Sequence, residues 1–548
     1  MVISLEEQIC DRLAKLYPHH DPITLFESCT STLGPYQPPN KKSRWSEKDA
    51  ILICYPDQVV SEHEKPLATL KSVLSEFGET FSLVHILPFF PSSSDGGFAV
   101  IDHLEVAPEL GSWEDIESIV TDRGIMADLV LNHVSSKHRW MQEFRRNSGP
   151  GSRCLKTALP DEDLSMVVRP RTSELLVECA TDAGLKYLWC TFGPDQIDVD
   201  WAEPEVLIEM LRAVERLLDA GIRWIRLDAV AYTHKVVGTK CVHLEETHEL
   251  VRLLRDLLEW CCPDAVLVTE TNVPHEENLS YLRDGKQAHV AYNFTLAPLL
   301  TFSLLLGTSR QLVRWLREAE SPPPNATLIN FLGSHDGIGL RPVEDILDKA
   351  DFRALVEAAT QAGGTWSGHA SGEETQPYEM NVAPASLFGM DRLLTGHTLL
   401  ASLRGVPAYY FPAVEGELNN LDDVENEGHN RAINRPKRTV TSRNQLLDGV
   451  RISSRDELLR RLTLRGKISA FHPDAQQRVL DLESPLLGLV RGDEESAPVT
   501  VIANLGFEAA VYSFDEPHFD LLSERTLHGD VPVAPAEILW LSTATIKS

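Results

Sequence analysis

The sequence is poor in positive charge. Its 51 lysines and arginines stand against 81 aspartates and glutamates, a formal charge of −30. A field of that sign repels phosphate backbones, so nucleic acid is not an expected partner, and an anionic substrate would need a local cluster of cations. Paired cysteines are lacking too. The nine cysteines are scattered, no CxxC occurs, and the one adjacent pair, Cys261 and Cys262, has no metal spacing. Reduced thiols of a cytosolic protein are the expectation. The first residues, MVISLEEQICDRLAK, carry neither a basic n-region nor an apolar h-region, so no signal peptide is expected and the cytoplasm is the expected location. The most apolar window, FTLAPLLTFSLLLG (294–307), is short and broken by Pro298, which argues against a membrane span. No internal repeat stands out. No Asp, Glu and His cluster has metal-ligand spacing, so neither a metal nor a cofactor is expected.

What the sequence holds is a rhythm. Short apolar, β-branched runs occur at 50–55, 81–88, 125–133, 222–230, 264–270, 289–294, 327–336 and 406–411, separated by helical patterns. In the helix expected over 204–219, Leu207, Met210, Leu211, Val214, Leu217 and Leu218 share one face, and Gly221 follows. A second helix is expected over 246–260. Strands alternating with helices predict a parallel sheet, and eight of them predict an α/β fold of the (β/α)8 TIM-barrel type. Residues 1–47 read as a helical extension (1–32) and a Pro/Lys/Asn-rich linker. The barrel is expected over 48–134 and 197–475. Two loop insertions interrupt it, a B-type insertion at 135–196 and a B′-type insertion at 340–385. Long excursions at the C-terminal ends of barrel strands build active-site walls. Residues 478–548, with VTVIANLG and AEILWLS, predict a C-terminal β-domain.

One strand carries unexpected charge. In GIRWIRLDAV (221–230), Arg226 and Asp228 interrupt an apolar run, and a period of two turns them to the same side. Three expected strands end in an acid: Asp228, Glu270 and Asp336. In a barrel those ends face one mouth. Single acids at a barrel rim also serve as helix caps or ion-pair members. Two carboxylates flanking one bond are the equipment of glycoside cleavage. Arg226 would lower the pKa of Asp228 and keep it ionised, whereas Glu270 has no cation near it in sequence, which suits a proton donor.

MADLVLNH, GIRWIRLDAV, VLVTE and LGSHDGIG resemble the four signature segments of the α-amylase clan of glycoside hydrolases. VHILPFFPSSSDGGFAVIDH (84–103) and HDGIG (335–339) resemble the sucrose phosphorylase branch of that clan. The resemblance implies Asp228 as nucleophile, Glu270 as acid/base and Asp336 as the carboxylate that steadies the transition state. It also implies a sugar site holding Asp95, Phe98, His133, His335 and Arg431, with Arg226 beside the nucleophile. His85 reads as structural.

The same triad serves hydrolases, transglucosidases and phosphorylases. HDGIG and the first insertion's VVRPRTS, with Arg169 and Arg171, favour phosphate as acceptor, and QPYEMN of the second insertion adds Tyr378 and Asn381. The resemblance implies that these loops receive phosphate. The N-terminal extension and RPRTS are similar to glucosylglycerate phosphorylases, although ELLVECAT (174–181) departs from that pattern. Sucrose, sucrose phosphate and glucosylglycerol remain alternative donors. A clan hydrolase or a non-catalytic clan relative is the rival reading. The expected partners are a small sugar substrate and inorganic phosphate, and a homo-oligomer is left open.

Overall fold

The computed structural model describes residues 3–36, 43–170, 173–371, 374–428, 430–493 and 497–543. Eight parallel strands close into a barrel: β1 (Ile51–Cys54), β2 (Leu83–Ile86), β3 (Gly124–Val130), β4 (Trp224–Asp228), β5 (Val266–Thr269), β6 (Val290–Tyr292), β7 (Thr327–Asn330) and β8 (Val406–Tyr410). Neighbours in sequence are neighbours in space, and β8 closes on β1. Strands covered on both faces read as nearly continuous apolar runs, as these do. Every residue of β1, β2, β4, β5, β6, β7 and β8 is buried.

Helix Pro204–Asp219 starts with proline in its first turn and buries Leu207, Met210, Leu211, Val214, Leu217 and Leu218. Gly221, at φ 84°, then turns the chain back into β4. The apolar window becomes helix Leu296–Leu306, buried along nearly its whole length. No helix among the described residues is long and apolar enough to cross a membrane. The N-terminal region forms two helices, Leu5–Leu16 and Pro22–Leu33, the second capped by Asp21. They pack on helices Glu245–Cys261 and Pro204–Asp219, where Arg12 binds Glu249 and Asp256 at 2.9 and 2.5 Å.

Two strand ends differ from expectation. β3 stops at Val130, and His133–Ser135 instead pairs antiparallel with Gln196–Asp198. β7 stops at Asn330, so Asp336 does not end a strand. It sits in a tight turn in which Gly337 N donates to Ser334 O at 3.0 Å. Between β3 and β4 the chain builds two short helices and the hairpin Leu176–Thr181/Gly184–Trp189. Between β7 and β8 it builds helix Lys349–Gln361 and the hairpin Thr365–Ser371/Glu374–Asn381. From Gln477 a six-stranded antiparallel sheet follows.

Candidate active site

Arg226 and Asp228 point the same way from β4, and Arg226 Nη1 donates to Asp228 Oδ1 at 2.8 Å. The guanidinium is shared. Asp128 on β3 is in register with Arg226 and accepts from the same nitrogen. His85 Nε2 lies 2.9 Å from the other oxygen of Asp128 and His85 Nδ1 lies 3.2 Å from the Tyr292 hydroxyl. Burial would raise Asp128, but Arg226 and His85 overcome it and hold the carboxyl at about 2. Asp228 therefore does not have Arg226 to itself. Burial pushes its carboxyl up, and Glu270, Asp128 and Asp336 add to this against the pull of Arg226. The sequence expectation of a simple downward shift is corrected by that crowding.

Glu270 follows β5 directly. Its Oε2 accepts from the Ala229 amide at 3.1 Å, which brings it beside Asp228, while Arg226 Nη2 stays 3.9 Å away. Ala229 adopts φ 51°, a left-handed conformation uncommon outside glycine. Burial and then Asp336 raise Glu270, opposed by Arg226. Asp336 takes the opposite course. Burial would raise it, but Arg431 at 2.7 Å, His335 and Arg435 at 3.2 Å hold it far below the usual carboxylate range.

Phe98 stacks on His335, ring centroids 5.3 Å apart and planes 6° apart. Burial holds His335 neutral with a pKa of about 3, and its ring nitrogens have no hydrogen-bond partner among the described residues. His133 Nε2 lies 3.2 Å from Phe98 O and 3.0 Å from Gln196 Nε2, which also donates to Asp95 at 3.2 Å. Asp95, Phe98, His133, Asp228, Glu270, Asp336 and Arg431 all line one pocket at the C-terminal mouth of the barrel.

The alpha amylase catalytic domain pattern matches residues 76–337. The glucosylglycerate phosphorylase of Escherichia coli K12 is 36% identical over 521 residues, covering 91% of this chain and 93% of that protein. That of Allomeiothermus silvanus is 38% identical, covering 90% and 91%. The chain belongs to the sucrose phosphorylase branch of the α-amylase clan. The crystal structure of sucrose 6F-phosphate phosphorylase from Thermoanaerobacter thermosaccharolyticum superposes with a TM-score of 0.75 at 23% identity, covering 89% of this chain and 98% of that one, which shows a shared fold.

Against this α-amylase-clan frame, the acceptor residues scatter. Tyr378 and Pro170 line the pocket. Arg169 does not; its guanidinium donates to Ser173 Oγ at 2.9 Å. Asn381 does not either, since its amide donates to Ser367 Oγ at 3.3 Å. Arg171 lies outside the described residues. Sequence reasoning missed Arg435, although NRAINR (430–435) contains it, and Glu379, which accepts from Arg431 at 2.8 Å. It also missed Asn272, whose side chain a Cβ on Gly339 would meet at 2.6 Å. That contact is one reason for glycine in HDGIG. Beside the site, the buried Lys235 ammonium lies 2.7 Å from both Asn132 Oδ1 and Asp198 Oδ2. No group of three or more His, Cys, Asp or Glu among the described residues could hold a metal ion.

Proposed function

We propose that this protein is a retaining α-glucosyl phosphorylase that converts 2-O-α-glucosylglycerate and phosphate to α-glucose 1-phosphate and glycerate. The observation that carries the reading is Glu270 bonded to the amide beside an Arg226-bound Asp228, in a chain more than a third identical to glucosylglycerate phosphorylases.

Burial raises both carboxyls, and Arg226 divides them. Its 2.8 Å bond to Asp228 against 3.9 Å to Glu270 favours the charge on Asp228 and the proton on Glu270. In the first step an Asp228 oxygen bonds to the anomeric carbon while the glycosidic bond breaks, and the departing glycerate oxygen takes the Glu270 proton. The product is a β-glucosyl ester of Asp228. In the second step a phosphate oxygen attacks the same carbon, its proton returns to Glu270 and the ester bond breaks. Two inversions give the α-phosphate. Asp336, kept anionic by Arg431 and Arg435, faces the oxocarbenium-like centre. Asp95 and Arg431 bind sugar hydroxyls, Phe98 and His133 form the wall, and neutral His335 offers a ring N–H.

The test is phosphorolysis of glucosylglycerate, sucrose, sucrose 6′-phosphate and glucosylglycerol by the pure protein. Glucosylglycerate should be the best donor, with α-glucose 1-phosphate as product. A wide preference for sucrose would move the assignment to sucrose phosphorylase. Free glucose as the main product would make the protein a hydrolase.

A further inference from the structure

The leaving group must sit on the Glu270 side of the pocket, because the acid has to reach the glycosidic oxygen. If the aglycone is glycerate, as the preceding reading has it, a carboxylate lies there too. Three of the cations already described are engaged elsewhere. Arg226 serves Asp128 and Asp228, Arg431 serves Asp336 and Glu379, and Arg435 serves Asp336.

A further guanidinium, that of Arg341, has no carboxylate ion pair among the described residues. Arg341 opens a single helical turn directly after the HDGIG segment, and two residues before it Gly339 lines the pocket against the Asn272 side chain. The intervening Leu340 amide donates to Tyr378 O at 2.9 Å, which ties this turn to another pocket residue. Arg341 is half-buried, and its charge acts on the buried Tyr232 side chain. That side chain in turn feels the charge of Glu270, and the Tyr232 ring meets the pocket residue Phe192 edge-on at 5.5 Å. No carboxylate among the described residues forms an ion pair with Arg341, although Glu344 is near enough to feel it. A partly buried arginine two residues along the chain from the pocket lining, with no carboxylate partner among the described residues, is suited to a ligand's anion.

We propose that Arg341, with the Tyr232 hydroxyl, is the receptor for the acceptor's oxyanion: the carboxylate of departing glycerate and then the incoming phosphate. Both ligands carry anionic oxygens two or three bonds from the oxygen that bonds to the sugar, so one receptor serves each in turn. Neutral acceptors make no such contact.

The experiment uses α-glucosyl fluoride as a single donor and compares glycerate, phosphate, glycerol and water as acceptors for the wild type, Arg341→Ala and Arg341→Lys. Loss of a charge-assisted hydrogen bond should raise the KM for glycerate and for phosphate by about 10- to 150-fold in Arg341→Ala. Transfer to glycerol and water should change far less, and Arg341→Lys should recover part of the loss. Equal losses for glycerol and glycerate, a loss confined to phosphate, or no loss would each overturn the inference. A wild type that ignores glycerate fails the functional reading and this one with it. A wild type that uses glycerate, matched by an Arg341→Ala that uses it equally well, fails this inference alone.

Discussion

At the residue scale the site is governed by how few cations are divided among many acids. Arg226 is bound by Asp128 and Asp228 and approached by Glu270, so the proposed roles put the proton on Glu270, the partner it holds less closely. Glu270→Gln should cost about 10²- to 10⁴-fold on glucosylglycerate, whose leaving oxygen needs a proton. It should cost much less in formation of the glucosyl-enzyme from α-glucosyl fluoride, measured by fluoride release. Equal losses on both donors would make Glu270 a structural residue, and Asp228→Asn should stop both. The Arg226–Asp228 pair was legible because two charges at spacing two in an apolar run have to share a side. Asp128 was hidden within MADLVLNH, since only the register of β3 against β4 makes it the partner of Arg226. Glu379 and Arg435 gave no periodic signal, being brought in by an insertion and a loop distant in sequence.

At the scale of elements, the barrel strands were legible because burial on both faces leaves mostly apolar runs with only a few polar side chains, such as Asp128 on β3 and Arg226 and Asp228 on β4. Asp336 was misplaced for the same reason. Phe331 and Leu332 are buried although β7 has already ended at Asn330, so the apolar run outlasts the ladder. What presents Asp336 is instead the Ser334–Gly337 turn, with Gly337 at φ 91° and a Cβ there blocked by Met380 O. Gly337→Ala should therefore destabilise by about 1–3 kcal/mol and lower kcat through a displaced Asp336, read from melting and single-turnover rates. A variant with native melting and native turnover would show that the turn has slack. The loop after β3 makes a second forecast. The Lys235 ammonium already supplies a cation between Asn132 and Asp198, so chelator treatment should leave activity and Tm unchanged. Lys235→Met should cost about 3–5 kcal/mol by leaving a charge buried alone. Recovery of that Tm by an added divalent cation would show that the lysine replaces a metal.

For the whole molecule, the number of acids suggests a protein eased by mild acid, since protonation relieves the self-repulsion of a −30 charge. Its buried histidines argue the reverse. His103, His138, His289, His335 and His397 are all buried, and burial lowers each to a pKa of about 3 or 4. In the unfolded chain each takes up a proton near pH 6.5. Below that pH the unfolded state binds more protons than the folded one, so stability that is complete above about 6.5 is lost as pH falls toward the folded values. The loss approaches about 1.4 kcal/mol per pH unit for each histidine. Asp128, with its pKa lowered to about 2, adds its own loss only below about pH 3.9. Relief of repulsion among exposed carboxylates also comes mainly below pH 5, near their ordinary pKa values. The histidines should therefore decide the interval between. Tm is expected to stay level from pH 8 to 7 and to fall steadily from pH 6.5 to 5. His397 supplies the control, because its ring meets Tyr409 edge-on at 5.2 Å and lies far in sequence from the catalytic acids. His397→Phe should flatten the slope by the share of one proton. A Tm that rises on acidification through this interval would show that charge relief outweighs the buried imidazoles.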